Sequence, residues 1–290
     1  MSKIGIAGLQ LEAINGDNLD SIEAEIDAVA LRYPWIDMVV LGELNALGSD
    51  PKHAQPMPGG PFEERFREVA RRSGIWLIPG SIMEQSGSQC FNTTPVINPD
   101  GEIIARYRKQ FPWLPYEKGV TPGIEAVVFD VPDIGRFGIS ICYDMWFPET
   151  LRTLSCMGAE VILHPSLTST MDRDVEQCMV RASAATHQCY FFDVNVAGPL
   201  GVGQSIVAGP GGEVIHIAGK GREIMPLRLD LDYVRDVREN GWHGLGQPLK
   251  SYRESQVPFP CYEKGYASPA LEALGPIKTA EAATGRSTGE

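Results

Sequence analysis

The stretch Arg136–Thr150, RFGISICYDMWFPET, poses the question from which the fold is read. Residues 137–142, FGISIC, are apolar and β-prone, yet the run ends on a cysteine and passes straight into polar, aromatic and helix-starting residues. A core cysteine needs no such setting. A nucleophilic one does, because a strand-to-turn junction presents the thiol while the sheet holds it rigid. Pro148-Glu149 reads as a helix start. The expected unit is therefore a strand closed by Cys142, a turn, and a bracing helix.

Outward from this unit the pattern is α/β. KIGIAGLQLEA (3–13) reads as a strand, and the next segment spaces Leu19, Ile22, Ile26, Val29 and Leu31 close to helical period. IDMVVLGE (36–43) reads as a buried strand, followed by a helix over 62–73 and a strand IWLIPGSIME (75–84). Two β-rich runs joined at Pro99-Asp100-Gly101 make a hairpin over 90–109. A Pro- and aromatic-rich loop (110–123) leads to a short strand at 126–129. Beyond the cysteine unit come a strand EVILHP (160–165), a helix over 172–187, a strand over 189–198 and a second hairpin turning at Pro210-Gly211-Gly212. REIMPLRLDLDYV (222–234) reads as the last strand. Strands in both βαβ units and hairpins imply mixed sheets with helices on their outer faces. No composition break divides the chain before about residue 250. The expectation is one domain over 1–250 and a C-terminal extension over 251–290, its TAEAATGRSTGE end disordered.

With 290 residues, 43% of them hydrophobic, the chain has enough apolar material for a core without disulfide or metal staples. A net charge of −12 with no basic run argues against nucleic acid and anionic membrane surfaces as partners. The N-terminus lacks the pattern of a signal peptide, and no apolar run reaches membrane-spanning length. The six cysteines are scattered without CxxC or zinc spacing, which suggests reduced thiols in a cytoplasm and no metal site.

A nucleophilic thiol needs a base and a group to stabilise an anion. Two bases are open on pattern alone: His164, at the end of the strand after the cysteine, and Glu43, which closes IDMVVLGE. Strand C-terminal ends gather at one edge of an open α/β sheet, so both are candidates for one cleft with Cys142. Lys109 closes the strand EIIARYRK and is, on its own, an ordinary solvated charge.

Taken together, VVLGE with Glu43, ARYRK with Lys109 and GISICYDMWFPE with Cys142 resemble the nitrilase superfamily of carbon–nitrogen hydrolases. The flanks agree: FNTTPVINPDG before the lysine, YEKGVTPG after it, HPS one strand past the cysteine, and QSIVAGPGGEVI later. The resemblance runs from about residue 3 to 235 in consistent order. It implies an α/β fold that is a four-layer αββα sandwich, a homodimer or higher homo-oligomer, and no cofactor. It also implies that Glu43 is the general base and Cys142 the nucleophile. Lys109 and the backbone N–H of Tyr143 would hold the oxyanion, while Glu117 orients the substrate nitrogen or Lys109. His164 is not used as base in that family. Tyr143-Asp144 after the cysteine looks like the amidase and carbamoylase branches rather than nitrilases. A small-molecule amide is the expected substrate, hydrolysed through a cysteinyl thioester; an N-carbamoyl amine or amino acid is the alternative substrate, and a catalytically silent binding subunit is the non-enzyme alternative. Trp113, Trp146, His164 and Arg173 are the expected pocket residues, Arg173 because some relatives bind a substrate carboxylate there. A solvated ion pair with its Asp neighbours is the competing reading of Arg173.

Overall fold

The computed structural model describes residues 2–278. The TAEAATGRSTGE end, for which disorder is expected, lies outside the described residues.

Seven strands of the N-terminal part are β1 (Lys3–Gln10), β2 (Met38–Leu41), β3 (Gln55–Pro56), β4 (Trp76–Ile78), β5 (Ile82–Ser86), β6 (Gln89–Ile97) and β7 (Ile103–Arg108). Six more follow: β8 (Val127–Val131), β9 (Gly135–Ile139), β10 (Val161–Ser166), β11 (Tyr190–Asn195), β12 (Ile206–Ala208) and β13 (Val214–Ile217). The last, β14 (Glu223–Asp230), returns to pair antiparallel with β1. The first sheet runs β14-β1-β2-β4-β6-β5-β3 with β7 on β6, and the second runs β13-β12-β11-β10-β9-β8. Both are mixed. β1, β2 and β4 are parallel neighbours, as are β9, β10 and β11, and hairpin partners are antiparallel.

Side-chain parity builds the layers. Ile4 and Ile6 of β1 enter a core shared with Phe137, Ile139, Leu163, Phe192 and Val194 of the second sheet, whereas Ala7 and Leu9 face the other way. On that outer face lie α1 (Leu19–Arg32) and α2 (Pro61–Ser73), which insert Ile22, Ile26, Val29, Phe62, Phe66 and Val69. The outer face of the second sheet is covered by α3 (Pro148–Cys156) and α4 (Arg173–His187) through Leu151, Leu154, Val180 and Ala184. The result is the expected four-layer αββα sandwich. Leu31, counted in the helical pattern of α1, is exposed, because it sits two residues past Val29 and therefore on the far side of the helix.

Three local readings need correction. IWLIPGSIME is two strands, β4 and β5, parted at Gly80, whose φ of +75° and contact with the Gly42 carbonyl admit only glycine. The strand before the cysteine ends at Ile139, so Cys142 opens a short 3₁₀ turn (Cys142–Trp146) rather than closing a strand. REIMPLRLDLDYV is strand only to Asp230, whose side chain accepts from Asp232 N–H and caps α5 (Leu231–Asn240). Two short helices not read from the sequence, α6 (Pro248–Glu254) and α7 (Pro269–Glu272), follow, the second within an almost wholly exposed segment.

Candidate active site

Three chain crossings deliver the site. Glu43 follows β2 after Gly42, and its N–H donates to the carbonyl of Ser166 at the end of β10, 3.1 Å away across the sandwich. Lys109 follows β7 and continues that strand's pairing by donating its N–H to the Asn92 carbonyl of β6 at 2.8 Å. Cys142 comes from the second sheet, with a left-handed φ of +45°. A non-glycine residue in that region costs about 1–2 kcal/mol. Here it turns the chain sharply at the thiol.

Asp144 fixes this turn. Its buried carboxylate accepts from Ile141 N–H at 2.9 Å, Tyr107 O–H at 2.6 Å and Phe111 N–H at 2.8 Å, so strand β7, the loop after Lys109 and the cysteine turn share one anchor. Burial pushes Asp144 up to about 6 despite those donors.

Lys109 is 1% exposed, and its ammonium lies between two carboxylates, 2.8 Å from Glu43 Oε1 and 2.6 Å from Glu117 Oε2. Asn92, fully buried on β6, donates one Nδ2 group to both, at 2.8 Å to Glu43 Oε1 and 3.0 Å to Glu117 Oε1. Trp113 N–H adds a 2.5 Å bond to Glu117. This ring drives the two acids apart. Glu43 is raised by its burial and by the nearby Glu117 charge, against the pull of Lys109. For Glu117, burial is outweighed by Lys109 and by its other donors, and its carboxyl lies below the ordinary value. Burial alone would depress Lys109, but the charges of Glu43 and Glu117 raise it well above its usual range, so it stays an ammonium. The Cys142 thiol is raised well above a free thiol, first by burial and then by Glu43. It rests protonated and needs a base.

The thiol opens into a two-lobed cleft. Trp113, Leu167 and Ser169 border both lobes together with Cys142; Glu43, Lys109 and Glu117 line one, and Tyr143, Trp146, Thr168, Asp172 and Glu176 the other. Glu43, Lys109, Glu117, Cys142, Trp113 and Trp146 are thus brought together, with Tyr143 next to the thiol in the chain.

Two expected pocket residues are not. His164 lines neither lobe. It shares the parity of Ile162, which turns its ring onto Phe191 on the helix-facing side of β10, where Nδ1 meets Ser140 Oγ at 2.6 Å and burial lowers its pKa to about 4. Arg173 is 1% exposed and neither solvated nor open to substrate. Its guanidinium donates to Asp193, to Glu176 at 3.1 Å and to the Gln204 carbonyl at 2.9 Å. Sequence reasoning missed Asn92, Asp144, Thr168 and Glu176. The one available signal was a polar residue inside an apolar run, as Asn92 is in FNTTPVI.

Residues 4–239 match the carbon–nitrogen hydrolase family model. The chain belongs to the carbon–nitrogen hydrolase family. Among relatives of this hydrolase, an omega-amidase of Xenopus tropicalis is 30% identical over 204 residues, 65% of this chain and 73% of the relative. A Saccharomyces cerevisiae protein of branch 10 of the nitrilase superfamily superposes with a TM-score of 0.75 at 26% identity, over 82% of this chain and 94% of that one. A point mutant of the amidase from Nesterenkonia sp. AN1, showing the result of Michael addition of acrylamide at its active-site cysteine, gives a TM-score of 0.73 at 25% identity over 81% of this chain and 97% of that one.

Proposed function

We propose that this carbon–nitrogen hydrolase is a thiol-dependent amidohydrolase that converts a small primary amide to the carboxylic acid and ammonia. The observation that carries the reading is the pairing of a buried, protonated thiol with one ammonium held between two carboxylates of divergent acidity. Glu43 is the general base: its raised pKa brings it closer to the working pH, where base catalysis is most effective. It takes the Cys142 proton as the thiolate attacks the amide carbon. The oxyanion that forms is held by the Lys109 ammonium and by the Tyr143 N–H. Collapse breaks the C–N bond, and the nitrogen leaves as ammonia with the proton carried by Glu43. Water activated by the same carboxylate then hydrolyses the thioester. Glu117, already ionised, keeps Lys109 charged and in place. Burial disfavours charged His164, and its ring faces away from the cleft, so it takes no step.

The hydrolase domain covers residues 1–250 in this proposal, with 251–290 as an extension. The working unit is a homodimer, on the strength of the family resemblance. A cytoplasmic setting is supported by six unpaired cysteines, together with the absence among the described residues of a helix long and apolar enough to cross a membrane.

The test is ammonia release from a panel of small aliphatic amides, ω-amides, N-carbamoyl compounds and nitriles. Activity is expected on amides and lost in Cys142→Ala. Glu43→Gln should lower kcat by about 10²–10⁴-fold, whereas His164→Asn retains turnover. Turnover that survives in Glu43→Gln and disappears in His164→Asn would replace this mechanism with a Cys–His one.

A further inference from the structure

The lobe that holds Glu43, Lys109 and Glu117 is accounted for by the chemistry. The other, about 190 Å³, is not. It is lined by Trp113, Tyr143 and Trp146 and by Thr168, Asp172 and Glu176. Beside Leu167 and the hydroxyls of Thr168, Ser169 and Thr170, the lining offers aromatic rings and carboxylates and neither lysine nor arginine. Arg173 lies behind Glu176 but spends its guanidinium on Asp193, Glu176 and the Gln204 carbonyl. One guanidinium faces two buried carboxylates, Asp193 and Glu176, with burial raising the Glu176 carboxyl, and half-buried Asp172 adds a third acid that has no cationic partner on this wall. The carboxylate is close to the chemistry, with a single hydroxyl between them. Thr168 Oγ1 is 4.0 Å from Cys142 Sγ and donates at 3.0 Å to Glu176 Oε1.

A substrate carboxylate in this lobe would meet like charge with no cationic side chain on the wall. An ammonium would meet two acids and aromatic faces, both of which favour it. The other lobe does offer an exposed cation, Lys118, but that lobe is the one occupied by the reacting groups.

We propose that the second lobe selects substrate by charge, taking the cationic end of a short amide whose carbonyl sits at Cys142, with Glu176 and Asp172 as the specificity-determining residues. This rests on reading the cleft as an amidase site.

Three primary amides of matched length test it, differing only at the far end: 4-aminobutanamide with an ammonium, pentanamide with a methyl, and succinamate with a carboxylate. Ammonia release should give a kcat/KM about tenfold or more higher for the ammonium than for the methyl compound, and lower again for the carboxylate. Glu176→Gln and Asp172→Asn should each compress the ammonium-to-carboxylate ratio, which is taken within one preparation and so does not depend on how much of a variant folds. Best turnover of pentanamide or succinamate by the wild type would overturn charge selection and leave the amidase reading intact. So would silence on all three when other amides are cleaved. An unchanged ratio in both variants would overturn the residue assignment. Failure to release Cys142-dependent ammonia from any amide would remove the amidase reading and this inference with it.

Discussion

Between Glu43 and Glu117 one ammonium serves two carboxylates, and its unequal effect on them fixes the acid–base chemistry. The Glu117 charge helps to raise Glu43, while Glu117 itself collects enough donors to stay low. Removing the Glu117 charge should therefore change Glu43. In Glu117→Gln the repulsion that helps raise Glu43 is gone, so its pKa falls. With Glu43 as the proposed base, the active form is lost as pH drops through that pKa, and the acid limb of kcat/KM should move to lower pH in the variant. Turnover itself should also fall, because Lys109 loses a 2.6 Å partner. A pH–rate profile of both proteins checks this, and an acid limb that shifts upward would contradict the assigned coupling. Glu43, Lys109 and Cys142 were legible as residues because each follows a β-rich run in a recognisable setting. Asn92 was not. Its role comes from donating to two carboxylates that stand 49 and 25 positions away in the chain.

At the level of elements, the cysteine turn depends on a contact that no local pattern announces. The strand ends at Ile139, and the left-handed Cys142 is held by Asp144, whose hydroxyl donor, Tyr107, lies 37 residues upstream on β7. The same anchor explains why a strand-to-helix reading of RFGISICYDMWFPET was right in outline and wrong in detail. Periodicity shows which residues enter the core, but not where a buried carboxylate stops a strand. Asp144 has a folded pKa of about 6, raised from 3.8. The stability linked to it is full below the unfolded pKa and is lost as pH rises through 6. Tyr107→Phe takes a donor from the ionised carboxylate and raises that pKa further, so its extra cost appears above pH 6. Denaturant unfolding at pH 8 should show a loss of about 1.5–3 kcal/mol, the range for a hydrogen bond to a charged group. The loss should be smaller at pH 5, where the carboxyl is protonated. Equal losses at both pH values would show that Asp144 is not the titrating partner.

Over the whole molecule, Cys142 and Glu43, the proposed nucleophile and base, come from different sheets, so their distance is set by how closely the two sheets dock. Glycines set that approach. A Cβ on Gly8 of β1 would lie 2.8 Å from Phe192 in the opposite sheet. A Cβ on Gly42, next to Glu43, would lie 2.6 Å from Val196 Cγ2, 3.0 Å from Val196 N and 3.1 Å from the Ser166 carbonyl that receives the Glu43 N–H. The sandwich itself could be read from alternating strands and a family likeness. The need for glycine at its closest crossing could not, since the sequence does not say which two backbones meet. Gly42→Ala forces the end of β2 away from the ends of β11 and β10, and overpacking of this kind costs about 1–3 kcal/mol. Its effect on catalysis should be larger than its effect on folding. Glu43 moves with the backbone while Cys142 stays anchored through Asp144, and a displacement of ~1 Å between reacting groups can lower kcat about 10²-fold. Gly8→Ala strains the same docking one strand over, level with Val40 rather than beside Glu43, so the two variants form a matched pair. Both should unfold at lower temperature, but only Gly42→Ala should lose most of its kcat. Equal kcat in the two, measured on protein that is folded by circular dichroism, would mean that the docking of the sheets stabilises the molecule without setting the geometry of the site.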